Sequence, residues 1–267
     1  MSQETSRNAP PPSLPDAFRL DDRTALVTGA SAGLGAGIAA AFAAAGAEVI
    51  LMARSRDALD AVVDQLQAAG GRCQALVCDV TDTAALRQAI ADLPRLDILV
   101  NNAGTNFPEP IGEVTDEHLD TMLSLNVRSV YLACQAAVRK MREDAGRRER
   151  GGVILNMSSQ MGHVGSPNRT VYCMTKHALE GLTKALAVEL APEGIRVTSL
   201  APTFVDTPLV RRVVDTPEKR DFVMSRIPMG RLATVDEVAA AALFLVSPAA
   251  GMVTGTSLLV DGGWTVP

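Results

Sequence analysis

The eight residues Thr28-Gly29-Ala30-Ser31-Ala32-Gly33-Leu34-Gly35 constrain this chain more than any other segment. They follow a short apolar run, Ala25 to Val27, and open directly into an Ala-rich stretch of helical character, Gly35 to Ala45. A glycine-rich turn between a strand and a helix lets the backbone approach a pyrophosphate, and the helix N-terminus beyond it offers unpaired N–H groups and a favourable dipole. The segment therefore predicts a dinucleotide site, with Gly29, Ser31, Gly33, Leu34 and Gly35 against the cofactor. A tight turn of purely structural purpose is the alternative, but three glycines with strand and helix on the correct sides rarely coincide otherwise.

The same alternation continues to the C-terminus without a linker-like break. Candidate strands are Ala25 to Val27, Glu48 to Met52, Cys73 to Cys78, Asp97 to Val100, Val153 to Met157, Arg196 to Leu200 and Ser257 to Val260. Between them Gly35 to Ala45, Arg56 to Ala69, Thr83 to Leu93, Asp116 to Arg142, Thr170 to Ala191 and Thr234 to Ser247 read as helices. Strands separated by helical crossovers make a parallel sheet. The expected fold is α/β: a single Rossmann-type, doubly wound parallel sheet of about seven strands with helices on both faces. Residues 1–18 are polar and carry Pro10, Pro11, Pro12 and Pro15, which predicts a disordered extension. Residues 19–267 then form one catalytic domain, and the irregular stretch at about 203–231 is long enough to serve as a substrate lid.

Composition narrows the partners. A net charge of -5 leaves no excess of Lys and Arg for phosphate counterions, so a small molecule is expected rather than a nucleic acid. The N-terminus has no apolar run suited to a signal peptide or membrane span. Four cysteines, Cys73, Cys78, Cys134 and Cys173, lack metal or disulfide spacing; reduced thiols in a cytoplasmic protein are expected, with no metal site.

After the second strand, dinucleotide folds usually place an acidic residue for the adenosine ribose, but this chain reads Met52-Ala53-Arg54-Ser55-Arg56. Arg54, backed by Arg56, suits a 2′-phosphate through its planar guanidinium fork. NADP(H) is thus the expected cofactor, with NAD(H) possible. The competing interpretation makes both arginines ordinary charges at a helix start.

Tyr172-Cys173-Met174-Thr175-Lys176 sets a phenol and an ammonium four residues apart, on one face of a helix. A nearby fixed cation would stabilise the phenolate and bring tyrosine acidity towards the useful range, making a general acid/base pair. That spacing alone is weak, because most such pairs are surface residues.

Taken together with Asn101-Asn102-Ala103-Gly104 after the fourth strand, Asn126 in the next helix and Ser158-Ser159 ending the fifth, the chain resembles the short-chain dehydrogenase/reductase family. The likeness runs over nearly its full length after the tail. The resemblance implies that Ser159, thirteen residues before Tyr172, hydrogen-bonds the substrate oxygen while Tyr172 gives or takes the proton. It also implies that Lys176 binds the nicotinamide ribose and lowers the phenol pKa, and that Asn126 holds a water chain to Lys176. Asn102, Ala103 and Gly104 would line the cofactor, as would Val80 and Val205, with Asp79 against the adenine and Thr207 against the carboxamide. Two departures from the family pattern stand out: Thr198 replaces a common Asn, and Pro202-Thr203 replaces Pro-Gly, so that Thr203 either narrows the substrate site or fills backbone space.

Substrate contact is expected from Ser159, Gln160, Met161, Gly162, His163, Asn168, Tyr172 and Leu209. The variable positions are similar to gluconate 5-dehydrogenase-like members acting on sugar acids, polyols or other small ketones. The 3-oxoacyl carrier-protein reductases are an alternative, and a non-catalytic NADP(H)-binding sensor is one of another class. The long helices 116–142 and 170–191 resemble those through which family members pair, implying a homotetramer.

Overall fold

The computed structural model describes residues 14–146, 150–207, 210–211 and 214–266. Its strands are β1 (Thr24–Thr28), β2 (Glu48–Ala53), β3 (Arg72–Val77), β4 (Ile98–Asn101), β5 (Gly152–Met157), β6 (Ile195–Pro202) and β7 (Ser257–Val260). They make one sheet in the order β3-β2-β1-β4-β5-β6-β7, parallel at every pairing. Helices α1 (Leu14–Ala17), α2 (Gly33–Ala44), α3 (Arg56–Ala68), α4 (Thr83–Ala91), α5 (Asp116–Leu123), α6 (Ser129–Arg142), α7 (Thr170–Leu190), α8 (Pro217–Met224) and α9 (Val235–Val246) complete it. Among the described residues no helix is long and apolar enough to cross a membrane.

The apolar strands read as continuous hydrophobic runs because both faces are covered. Period-two alternation divides them between two cores. Ala25, Val27, Val49, Leu51, Ile98, Val100, Val153 and Leu155 meet α2, α3 and α9 through Ile38, Phe42, Leu59, Val238 and Leu245. The intervening Leu26, Ile50, Met52, Leu99 and Ile154 meet α4, α6 and α7 through Leu86, Ile90, Ala137, Met141 and Leu179. Small residues set the spacing: a Cβ on Gly37 of α2 would lie 2.2 Å from Cγ1 of Val235 in α9.

From β1 the chain runs outward to β2 and β3, then crosses to β4 on the other side of β1. The crevice beyond the carboxyl ends of β1 and β4, at Thr28 and Asn101, lies at this reversal, where open α/β sheets bind ligands.

Three elements differ from the sequence expectation. The helix expected from Asp116 to Arg142 is broken by a π-helical turn at Ser124–Arg128, which helical periodicity does not reveal. The stretch expected as an irregular lid contains α8, started by Thr216, whose hydroxyl accepts from Lys219 N, and by Pro217. The expected disordered extension gives way at its end, where Leu14–Ala17 forms one helical turn and the Phe18 ring lies 6.4 Å from that of Phe244. Residues 1–13 lie outside the described residues.

Candidate active site

A single trough follows the carboxyl ends of the central strands. One half, a cleft of about 820 Å³, is lined by Gly29, Ser31, Arg54, Asp79, Val80, Ala103 and Gly104 among others. The other, about 560 Å³, is lined by Gly33, Leu34, Gly35, Asn102, Ser159, Tyr172, Lys176, Val205 and Thr207, and it shares Gly29, Ala103 and Gly104 with the first. Every position expected at the cofactor thus borders one continuous space.

The residues here fit a dinucleotide. Gly29 and Gly33 have φ of +66° and +57°, which side chains rarely adopt. A Cβ on Gly35 would lie 2.4 Å from the carbonyl oxygen of Gly29, so the turn closes only around a bare backbone. Gly33, by contrast, has only Thr207 Cγ2 at 4.0 Å near its missing Cβ. Helices α3, α4 and α9 are capped by Ser55, Asp82 and Thr234, whereas α2 starts after Ala32, which has no side-chain acceptor. Its first N–H groups are left for an anion.

Thr28 latches this turn to the next loop, a role the sequence reading missed. Its Oγ1 donates to Val100 O at 3.2 Å and accepts from the N–H groups of Asn102 and Ala103 at 3.0 and 3.1 Å. Asn102 Nδ2 returns bonds to the carbonyl oxygens of Thr28 and Gly29 at 2.9 and 3.2 Å. A threonine leading the glycine turn, with an Asn-Asn pair after β4, was the available signal, but the partners lie some 74 residues apart.

At the adenosine end, Arg54 and Asp79 line the same cleft. The Asp79 carboxyl is held below its ordinary range, first by the N–H of Thr81 at 2.9 Å and more weakly by the Thr81 hydroxyl and the Arg54 charge. Arg56 does not join them. It pairs with Asp60 along α3 at 3.7 Å and is absent from the cleft lining, so the expectation that it backs Arg54 is corrected.

At the catalytic end, β5 delivers Ser159 in extended conformation, where its Oγ donates to Gln160 Oε1 at 2.6 Å and accepts from Met161 N at 3.1 Å. Ser158 is buried with an unpartnered hydroxyl beside Gly162. Tyr172 and Lys176 come from the first turns of α7, and Lys176 Nζ donates to Met157 O at 2.7 Å. Asn126 sits in the π-helical turn, buried, its Oδ1 accepting from Thr105 N at 2.9 Å and its Nδ2 donating to Thr105 O and Thr175 Oγ1 at 2.8 and 3.3 Å. Single π turns within helices often mark such functional positions.

Burial dominates the electrostatics. The Tyr172 phenol is pushed up to about 12 by desolvation, against smaller opposing pulls from the Ser159 hydroxyl and the Arg169 charge. Lys176 falls to about 8, again by desolvation, with Glu180 acting the other way. Lys176 is not among the groups that shift the phenol in the protein alone, and Tyr172 is protonated at pH 7.

The catalytic half continues into an inner cavity of about 250 Å³ lined by Asn106, Ser159, Gln160, Met161, Arg169, Tyr172 and Thr203. Beyond it, an outer cavity of about 610 Å³ lies under α8, lined by Phe204, Phe222, Val223, Trp264 and Asn168. Thr203, largely buried, lines both the catalytic half and the inner cavity. His163 does not: its Nε2 meets Ser257 Oγ at 3.0 Å and Glu180 Oε1 at 3.4 Å, and it borders neither cavity, which corrects the expected substrate contact. Leu209, the other expected contact, lies outside the described residues. The sequence reading missed Arg169 and Asn106, which carry no motif spacing.

The family model described as enoyl-(acyl carrier protein) reductase, of the short-chain alcohol dehydrogenase type, matches residues 29–265. D-threitol dehydrogenase of Mycolicibacterium smegmatis is 40% identical over 253 residues, covering 93% of this chain and 95% of that protein. L-xylulose reductase of Bos taurus is 42% identical over 249 residues, covering 92% and 98%. A solved gluconate 5-dehydrogenase from Burkholderia cenocepacia, in complex with NADP and tartrate, superimposes with a TM-score of 0.89 at 34% identity, covering 95% of this chain and 99% of that one.

Proposed function

The chain belongs to the short-chain dehydrogenase/reductase family, and we propose that it interconverts a small ketone and its secondary alcohol, of the polyol or sugar-acid kind, with NADP(H). The observation that carries this reading is the Tyr172 phenol, which borders both the trough and the inner cavity together with Ser159. The named relatives act on a polyol, a sugar and a sugar acid, and the solved one binds NADP.

A bound nicotinamide would supply or remove the hydride. Gly29, Ser31, Gly33, Leu34 and Gly35 would hold the pyrophosphate side, and Arg54 the 2′-phosphate. Asp79 and Val80 would take the adenine side, and Val205 and Thr207 the nicotinamide side. In the reducing direction Tyr172 passes its phenolic proton to the carbonyl oxygen, to which Ser159 donates a second hydrogen bond after releasing Gln160. Lys176, titrating near neutrality, takes part in resupplying that proton. Asn126 keeps the Thr105 loop and Thr175 in place beside it.

A 3-oxoacyl thioester is a second reading, favoured by the apolar outer cavity with Phe204, Phe222 and Trp264. NADPH oxidation with 5-ketogluconate, L-xylulose, a cyclic ketone and an acetoacetyl thioester separates the two. The Tyr172→Phe variant should lose turnover roughly a thousand-fold while binding NADPH as before; undiminished turnover would remove Tyr172 from the mechanism.

Residues 19–267 are proposed as one domain, since both cores share the sheet. A homotetramer pairing through α5, α6 and α7 is supported by exposed Tyr131 of α6 and exposed Met174 and Val188 of α7; a light-scattering mass of a single chain would reject it. Four free cysteines, three of them buried, suit the reducing cytoplasm.

A further inference from the structure

Arg169 stands at the start of α7, three residues before Tyr172, and borders both the inner and the outer cavity. Its guanidinium is poorly satisfied. One terminal nitrogen donates to Asn168 O at 3.3 Å, while Nε is buried with no partner. No carboxylate pairs with it among the described residues, although Glu218 of α8 also borders the outer cavity. Neither the inner cavity nor the catalytic half of the trough has an Asp or Glu among its described lining residues. Asn106 Oδ1, bordering both spaces, is likewise buried and unpartnered.

Arg169 is half-buried, and a guanidinium nitrogen that is stripped of water with no acceptor is unfavourable unless a ligand completes it. The planar fork of arginine matches a carboxylate through two parallel N–H bonds. The same burial lowers the Arg169 pKa, with the nearby Tyr172 acting against it.

We propose that Arg169 anchors the carboxylate of the substrate, so that the protein acts on a hydroxy or keto sugar acid in preference to the corresponding neutral polyol or ketose. The acid end binds at the junction of the two cavities, and the carbonyl reaches Ser159 and Tyr172 in the inner one. This rests on the oxidoreductase reading above and names which of its substrate classes fits. It also gives Arg169 a role separate from proton transfer, as a residue that selects and orients.

The test compares 5-keto-D-gluconate with L-sorbose, which carries a CH2OH group in place of the carboxylate on the same carbon skeleton. Both are measured with NADPH on the native protein, Arg169→Gln and Arg169→Lys, alongside calorimetric titration of D-gluconate in the presence of NADP. The native protein should favour the acid. In Arg169→Gln the acid-over-neutral ratio of kcat/KM should fall roughly ten- to hundred-fold, mainly through KM, and gluconate affinity should fall with it. Arg169→Lys should recover part of both. An unchanged ratio in Arg169→Gln, or no gluconate binding by the native protein, would overturn the anchor. If neither ketone is reduced yet gluconate binding depends on Arg169, the anchor stands and the oxidoreductase reading fails. If ketones are reduced without preference for the acid, the reverse holds.

Discussion

Lys176 holds its Nζ 5.5 Å from the centre of the Tyr172 ring while donating a 2.7 Å hydrogen bond to the carbonyl oxygen of Met157. The ammonium is tethered to the end of β5 rather than to the phenol. Both groups are shifted in the direction that favours neutrality, the phenol upward and the amine downward, because both sit where water is excluded.

A pH-dependent stability follows for Lys176. Its folded pKa of about 8 lies below the ordinary 10.5, so the unfolded chain binds more protons between these values. Stability therefore rises with pH across that window, and below about pH 8 the buried charge is a full penalty. The Lys176→Met variant should unfold at higher denaturant than the native protein at pH 7, by at most about 3 kcal/mol before the lost bond to Met157 is counted. That advantage should shrink as pH rises towards 10.5, while turnover is lost. Denaturant titrations at pH 7 and pH 10 check this, and a pH-independent gap would mean an ordinary lysine.

Arg54 is the basic side chain lining the adenosine end. Its replacement by Ala should weaken NADPH binding roughly ten- to hundred-fold, the range of a charge-assisted contact, and leave NADH nearly unaffected. Fluorescence titration of the two cofactors measures it. Equal loss for both would place Arg54 away from the 2′-phosphate.

Gly35 has no room for a methyl group, since its Cβ would meet a backbone oxygen at 2.4 Å. Gly35→Ala should lower the melting temperature and abolish cofactor binding, because the glycine turn must open to accept it. Gly112, with nothing within 4 Å, is the control, and Gly112→Ala should melt as the native protein does.

Asn126 satisfies both the N–H and the C=O of Thr105. Asn126→Ala leaves those two backbone groups without that partner and should destabilise by about 2–4 kcal/mol. Urea unfolding reads the loss. A change under 0.5 kcal/mol, about the level of a surface substitution, would show that the loop is held otherwise.

Much of this was legible along the chain. The strands at Ala25, Glu48, Val153 and Ser257 were found within a residue or two, because buried parallel strands are continuous apolar runs and their crossover helices are long and regular. Gly29, Gly33 and Gly35 were legible for the same local reason: the turn needs them within eight residues. The π turn around Asn126 was not, since its hydrogen bonds slip by one residue without changing the composition. Arg56 was misplaced although its partner Asp60 stands at the readable i,i+4 spacing, whereas the partners of His163, Glu180 and Ser257, lie too far along the chain for motif spacing to reveal.

The sequence by itself determined the β-α alternation, the glycine turn and the Tyr172–Lys176 spacing, all of which are set by contacts within a few residues. Tertiary structure alone decided which way the side chains face and how far each is stripped of water. It turned His163 away and left Nε of Arg169 buried without a hydrogen-bond partner beside the inner cavity. It also pushed the Tyr172 phenol up to about 12. Desolvation depends on what the whole fold packs around a group, so no local pattern carries it.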